Sequence, residues 1–137
     1  MKRNFTHVLV VAAALSDGEG RWLMHRRPVG KEHAGLWEFP GGKVEPGETV
    51  RQALAREMFE ESALKLDIDA MREAGFAASD AAVDGRGIVL LLYTCSRWSG
   101  SITAKEGGEF KWHRPAEIAR LPKPPLDVEL ARQLFEK

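Results

Sequence analysis

A chain of 137 residues and 15.2 kDa, 44% hydrophobic, 29% charged and with a mean hydropathy of −0.30, has room for one domain with a sizeable core and excludes a disordered chain. Twenty basic and twenty acidic residues cancel, which excludes a protein that coats nucleic acid or another polyanion through bulk charge. The single cysteine, Cys95, excludes an intramolecular disulfide and a Cys-rich zinc site, and fits a reducing cytoplasm.

The apolar run Val8 to Leu15 is too short to span a bilayer. Its basic approach and the Ala12-Ala13-Ala14 triplet imitate an export signal. A buried first strand is the better reading, because Ser16-Asp17-Gly18 ends the run as a turn. Arg21 to Arg26 returns as a second strand, Pro28 to Gly35 forms a charged loop, and Trp37 to Phe39 is a short strand stopped by Pro40-Gly41-Gly42. Thr49 to Leu64 has neither glycine nor proline and is the best helix in the chain, opened by a Thr49/Gln52 capping box. Asp67 to Ala78 is ambiguous, Ser79 to Gly87 is turn-like, and Ile88 to Cys95 is a buried strand. Gly107-Gly108 precedes a strand over Glu109 to His113. Pro115 to Leu121 and Pro125 to Glu136 are helices, each with a proline in its first turn. No repeat or linker divides residues 1–137. The irregular alternation of strands and helices predicts an α+β fold in which helices flank a mixed sheet.

On a helical wheel at about 100° per residue, Glu57, Glu60 and Glu61 share one narrow face, while Leu54, Ala55, Met58, Phe59 and Ala63 occupy the opposite arc. Three carboxylates at a helix C-terminus repel one another and oppose the helix dipole. A divalent cation removes the conflict, since Mg²⁺ and Mn²⁺ prefer carboxylate oxygens; a solvated acidic face is the plain alternative.

The spacing around these residues adds a further signal. Gly42, five residues, Glu48, seven residues and then Arg56-Glu57-Met58-Phe59-Glu60-Glu61-Ser62-Ala63-Leu64 resembles the Nudix box, Gly-x5-Glu-x7-Arg-Glu-U-x-Glu-Glu-x-Gly-U, over residues 42–64. One fixed position departs: Ala63 stands where the family has glycine. If that position takes a positive φ, alanine costs on the order of 1 kcal/mol; if the helix continues, it costs nothing. Gly35-Leu36-Trp37-Glu38-Phe39-Pro40-Gly41-Gly42-Lys43, Arg26-Arg27, Gly108-Glu109-Phe110 and Pro125-Leu126-Asp127 are similar to segments of the MutT-type subgroup.

The resemblance implies an α/β/α sandwich around a mixed sheet and the hydrolysis of nucleoside triphosphates, often oxidised purine ones such as 8-oxo-dGTP, to monophosphate and pyrophosphate. It implies Mg²⁺ as cofactor, with Mn²⁺ as a substitute, held by Glu57 and Glu61 with Glu60 in the same cluster and the Gly41 carbonyl completing the site. Arg56 would hold a glutamate in place through a bidentate ion pair, and Glu48 would support the loop. Either Glu57 or Glu109 would act as general base. Arg27 and Lys43 suit triphosphate oxygens, and Glu38, Phe39, Pro40 and Gly41 belong to the substrate segment.

Asp127 would face the base, accepting hydrogen bonds from a purine or, protonated, donating one; its plain reading is a helix N-terminal aspartate. Trp37, Phe76 and Trp112 could stack on a base but are more often core, and His33 reads as solvated. Gly41-Gly42-Lys43 fails as a P-loop, because Trp37 and Val44 stand where glycine and Ser or Thr are required. The partner expected is a small nucleotide, with neither a nucleic-acid polymer nor a membrane, and the chain is expected as a monomer or homodimer. Other readings keep the enzyme but change the substrate to CTP or another pyrimidine triphosphate, or to ADP-ribose or a dinucleoside polyphosphate. A nucleotide-sensing module would be expected to lose the glutamates, which are intact here. Charge is distributed to match: residues 1–37 carry six basic and three acidic side chains, and residues 38–61 carry three basic and six acidic.

Overall fold

A computed structural model describes residues 7–83 and 86–136. The central sheet has the order β4-β1-β7-β6, formed by β1 (His7–Ala14), β4 (Gly41–Lys43), β6 (Met71–Val83) and β7 (Arg86–Cys95). β1 and β7 run parallel while β4 and β6 join antiparallel, so the sheet is mixed. β1 alternates its small apolar side chains between two faces. Val11 and Ala13 pack with Leu54, Met58 and Met71 below α1 (Val50–Ser62), and Ala12 and Ala14 pack with Leu92, Leu130 and Ala131 below α3 (Pro125–Phe135). The sheet is thus buried on both faces, which yields the expected α/β/α layering. A second sheet has the order β3-β2-β9, from β2 (Trp22–Arg26), β3 (Trp37–Glu38) and β9 (Glu109–His113). β5 (Lys65–Leu66) pairs with β8 (Trp98–Ser99), and α2 (Pro115–Ile118) is a single turn, shorter than expected.

Three local expectations are corrected. Gly41-Gly42 does not simply halt a strand but forms β4 against β1, where a Cβ on Gly41 would fall 2.0 Å from the Val11 carbonyl oxygen. Only a chain without side chains fits so close. The turn expected over Ser79 to Gly87 is strand in its described parts, with Asp84 and Gly85 outside the described residues: β6 runs through Ser79 to Val83 and pairs with β7 across a register irregularity. The apolar partner strand overrides the turn-like composition there. The helix ends at Ser62, and Ala63 adopts φ 66°, ψ 8° with its N–H donating to the Phe59 carbonyl.

Thr49 and Gln52 form the expected capping box, the Thr49 hydroxyl accepting from Gln52 N at 3.1 Å and the Gln52 side chain from Thr49 N at 2.9 Å. On the outer strand β6, the Gln133 amide of α3 accepts from Phe76 N at 3.1 Å and donates to Phe76 O at 2.8 Å. Gly75 makes room for it, since a Cβ there would lie 2.5 Å from Gln133 Oε1. No helix among the described residues is long and apolar enough to cross a membrane.

Candidate active site

α1 and the β3–β4 segment converge beside β1. Gly41 N donates to Glu61 Oε1 at 3.0 Å, and the Glu57 carboxylate lies against Gly42, where a Cβ would fall 1.4 Å from Oε2. Both carboxylates are largely shielded, the side chains of Glu57 and Glu61 being 17% and 15% exposed. Burial, then Glu38 and Glu57, pushes Glu61 up to about 8 against the pull of the Gly41 N–H. Burial likewise raises Glu57 to about 7, with Arg56 opposing and Glu60 and Glu106 adding. Carboxylates that resist ionisation in a cleft beside a backbone stripped of side chains are suited to a hard divalent cation. Among the described residues no three His, Cys, Asp or Glu side chains already converge at ligand distance.

Arg56 organises the rest of the acidic face. It grips Glu48 bidentately, Nε to Oε2 at 2.6 Å and Nη2 to Oε1 at 2.9 Å, and donates to the Lys43 carbonyl at 3.0 Å. That guanidinium holds Glu48 down at about 2. Nη1 reaches Glu60 at 3.0 Å and Glu57 at 3.3 Å, so Glu60 is turned toward Arg56. The bidentate pair expected of Arg56 is made with Glu48.

A cleft of about 750 Å³ runs from this face across β1 and β7, lined by Arg27, Glu38, Phe39, Gly41, Lys43, Glu57 and Asp127 among others. Glu38 takes an ion pair from Arg27 Nη1 at 2.9 Å. Asp127, only 4% exposed, accepts from Phe39 N at 3.0 Å. Burial and then Glu38 push Asp127 up to about 7, with the Phe39 N–H, Lys123 and Arg27 pulling it back. Glu38 raises both Asp127 and Glu61, so it links the two ends electrostatically. Asp127 does stand in the first turn of α3, as its plain reading has it, but there it is buried and its carboxylate holds the Phe39 N–H. The Pro40 ring is fully buried and its carbonyl accepts from Ala13 N at 2.8 Å, which fixes the segment to β1.

Not every expected residue gathers here. Glu109 does not line the cleft; its carboxylate pairs with Arg26 at 2.9 Å. Trp37 packs edge-on against His113, Trp112 stacks on Trp98, and Phe76 is exposed on β6, so none of the three lines the cleft. His33, at φ 60°, does line it. Two residues escaped the sequence reading. Glu106 raises both Glu57 and Glu61 from a turn whose backbone is held to the end of α1 by Thr103 N to Ser62 O at 2.9 Å and Lys105 N to Glu61 O at 3.0 Å. His25, on β2, is 5% exposed and places Nδ1 4.0 Å from Glu61 Oε2. The Lys105-Glu106-Gly107-Gly108 turn was the available signal for the first; alternation along β2 gave none for the second.

Known proteins resemble this chain in sequence and fold. A family model described as NUDIX domain matches residues 6–134. A CTP pyrophosphohydrolase of Escherichia coli (strain K12) is 38% identical over 123 residues, covering 90% of this chain and 88% of the relative. An 8-oxo-dGTP diphosphatase of Proteus vulgaris is 33% identical over 98 residues, covering 72% and 84%. The solution structure of the E. coli ORF135 protein superposes with a TM-score of 0.81 at 34% identity, covering 94% of this chain and 89% of that one.

Proposed function

The chain belongs to the Nudix family and is a hydrolase of phosphoanhydride bonds, and from that premise we propose that its substrates are nucleoside triphosphates, cleaved to monophosphate and pyrophosphate. The observation that carries this reading is one cleft lined at once by the Glu57 face, by Arg27 and Lys43, and by the buried Asp127 carboxyl. Triphosphate oxygens would meet Arg27 and Lys43, and the base would lie toward Asp127, Phe39 and Glu38.

Glu57 and Glu61, with Glu60 and the Gly41 carbonyl, would hold Mg²⁺. Bound there, the ion would offset phosphate charge and acidify a water. The chain's own groups do the rest. Arg56 keeps Glu48, Glu60 and the Lys43 carbonyl in one arrangement, so the loop and helix present a fixed face to the phosphates. Glu57 and Glu109 are the two bases expected from sequence. Glu109 is engaged by Arg26 and lies outside the cleft that Glu57 lines, so proton removal falls to Glu57.

Oxidised purine triphosphates are the first substrate class, with Asp127 as a carboxylate accepting from N1–H and the exocyclic amine. The raised Asp127 favours CTP as a second, since a protonated carboxyl can donate to cytosine N3 while accepting from its amine. A pyrophosphate-release screen with Mg²⁺ over ordinary and oxidised (d)NTPs, CTP, ADP-ribose and diadenosine polyphosphates, ranked by kcat/KM, tests the reading. A triphosphate should lead; a clear preference for ADP-ribose or a dinucleotide would overturn it.

A further inference from the structure

His25 is an unusual group to find behind an acidic metal face. Its ring is buried between the Phe110 ring, 4.4 Å away, and Gly108, where a Cβ would fall 2.7 Å from Nε2. Nε2 lies 3.2 Å from the Gly107 carbonyl oxygen. A carbonyl only accepts, so that contact places the ring proton on Nε2 and leaves a lone pair on Nδ1. Nδ1 is fully shielded from solvent and has no hydrogen-bond partner among the described residues. It faces Glu61 Oε2 at 4.0 Å, while the other oxygen of Glu61 is occupied by Gly41 N–H.

The Nδ1 lone pair thus faces the Glu61 carboxyl across a gap in a largely shielded site. A shared proton cannot bridge it, because N–H···O bonds close at about 2.7–3.2 Å. A metal ion can, because two bonds of about 2.1 Å span the separation. A ring nitrogen left free while the other is tied to a backbone carbonyl is also the usual disposition of a metal-binding histidine.

We propose that His25 Nδ1 and Glu61 together bind one divalent transition-metal ion, so that this centre carries an imidazole ligand beside its oxygens. The proposal rests on the reading of Glu61 as a metal ligand. Its consequence is selectivity: imidazole favours Mn²⁺, Fe²⁺, Co²⁺ or Zn²⁺ over Mg²⁺, which prefers oxygen throughout.

The test uses Mn²⁺ alone on the full chain, without nucleotide. Electron spin-echo spectra of the Mn²⁺-loaded protein should show modulation from a directly bound ¹⁴N. The modulation should persist in His33→Ala and vanish in His25→Gln, whose Mn²⁺-over-Mg²⁺ affinity ratio should fall on the order of tenfold or more. Mn²⁺ bound in a Glu61-dependent manner without ¹⁴N modulation, or modulation that survives His25→Gln, overturns the proposal. Mn²⁺ binding unaltered by Glu61→Gln overturns the underlying reading instead. Should His25→Gln fail to fold, the wild-type ring answers alone: Zn²⁺ should shift the His25 Nδ1 resonance of the ¹⁵N-labelled protein, and an unshifted resonance overturns the proposal.

Discussion

The Glu57 carboxylate occupies the space that any side chain on Gly42 would need, Oε2 lying 1.4 Å from where a Cβ would stand. The two residues are 15 positions apart in the chain but act as one element of the site. Gly42→Ala should therefore displace Glu57. A misplacement of about 1 Å in a reacting constellation costs roughly 100-fold, so kcat should fall by about that factor while the melting temperature changes little. Steady-state kinetics beside thermal denaturation checks this; an alanine variant with wild-type kcat would detach Glu57 from the chemistry.

Removing the charge itself makes a cleaner substitution. Glu57→Gln keeps the shape and should reduce Mg²⁺-dependent hydrolysis to the background of the chelated protein with an unchanged circular dichroism spectrum. Arg56→Ala frees Glu48 and Glu60 together and should lower activity or metal affinity by about 10–100-fold. Calorimetric titration with Mn²⁺ separates the two effects.

Ala63→Gly should stabilise the chain. Ala63 holds φ 66° at the end of α1, a left-handed conformation that costs an L-residue with a Cβ roughly 1 kcal/mol. Relief of that strain should raise the melting temperature by about 3–5 °C. Activity should be unchanged, since the Ala63 side chain carries no atom able to bind a metal or a phosphate. A lower melting temperature would contradict the account of the departure from the family glycine.

Metal-free stability should fall as pH rises through neutrality. Glu57, Glu61 and Asp127 keep protons to about 7, 8 and 7 in the folded chain, whereas the unfolded chain releases them near 4.5, 4.5 and 3.8. Between those values the folded state binds more protons, so its advantage shrinks with rising pH. Glu48, held at about 2, acts in the opposite sense and loses its contribution as pH falls below 4.5. Melting temperatures in chelator should peak near pH 5 and decline toward pH 8.5. Mn²⁺ should restore more stability at pH 8.5 than at pH 6, because at the lower pH it must displace protons. A flat profile would show that the acidic pair is solvated.

Asp127→Asn retains an acceptor for Phe39 N–H but cannot alternate between charged acceptor and neutral donor. Discrimination between the best purine and pyrimidine triphosphates should change by roughly 10–100-fold, the worth of a hydrogen bond to a charged group. Turnover of the best substrate should change less. An unchanged substrate ranking removes Asp127 from the base end of the cleft.

What could be read from the chain follows how local each feature is. Glu57, Glu60 and Glu61 are legible because a helix converts spacing directly into a shared face, and Thr49 with Gln52 marks where that helix starts. Gly41 and Gly42 read as breakers, yet their flatness is what lets β4 lie on β1. His25 carries no local signal and Glu106 only that of its glycine-rich turn, because each joins the site through tertiary structure, the pairing of β2 with β9 and the return of the 103–107 turn to α1. Asp127 was suggested by resemblance, but its burial comes from Phe39, 88 positions away.

The Gln133 amide on Phe76 has a consequence for self-association. By saturating the outward N–H and C=O of Phe76 it acts as a one-residue counterfeit strand, and a second molecule seeking to extend the sheet at that point would first have to evict it. Gln133→Ala would uncover that backbone pair next to the exposed Phe76 ring, creating an adhesive point where the native chain is capped.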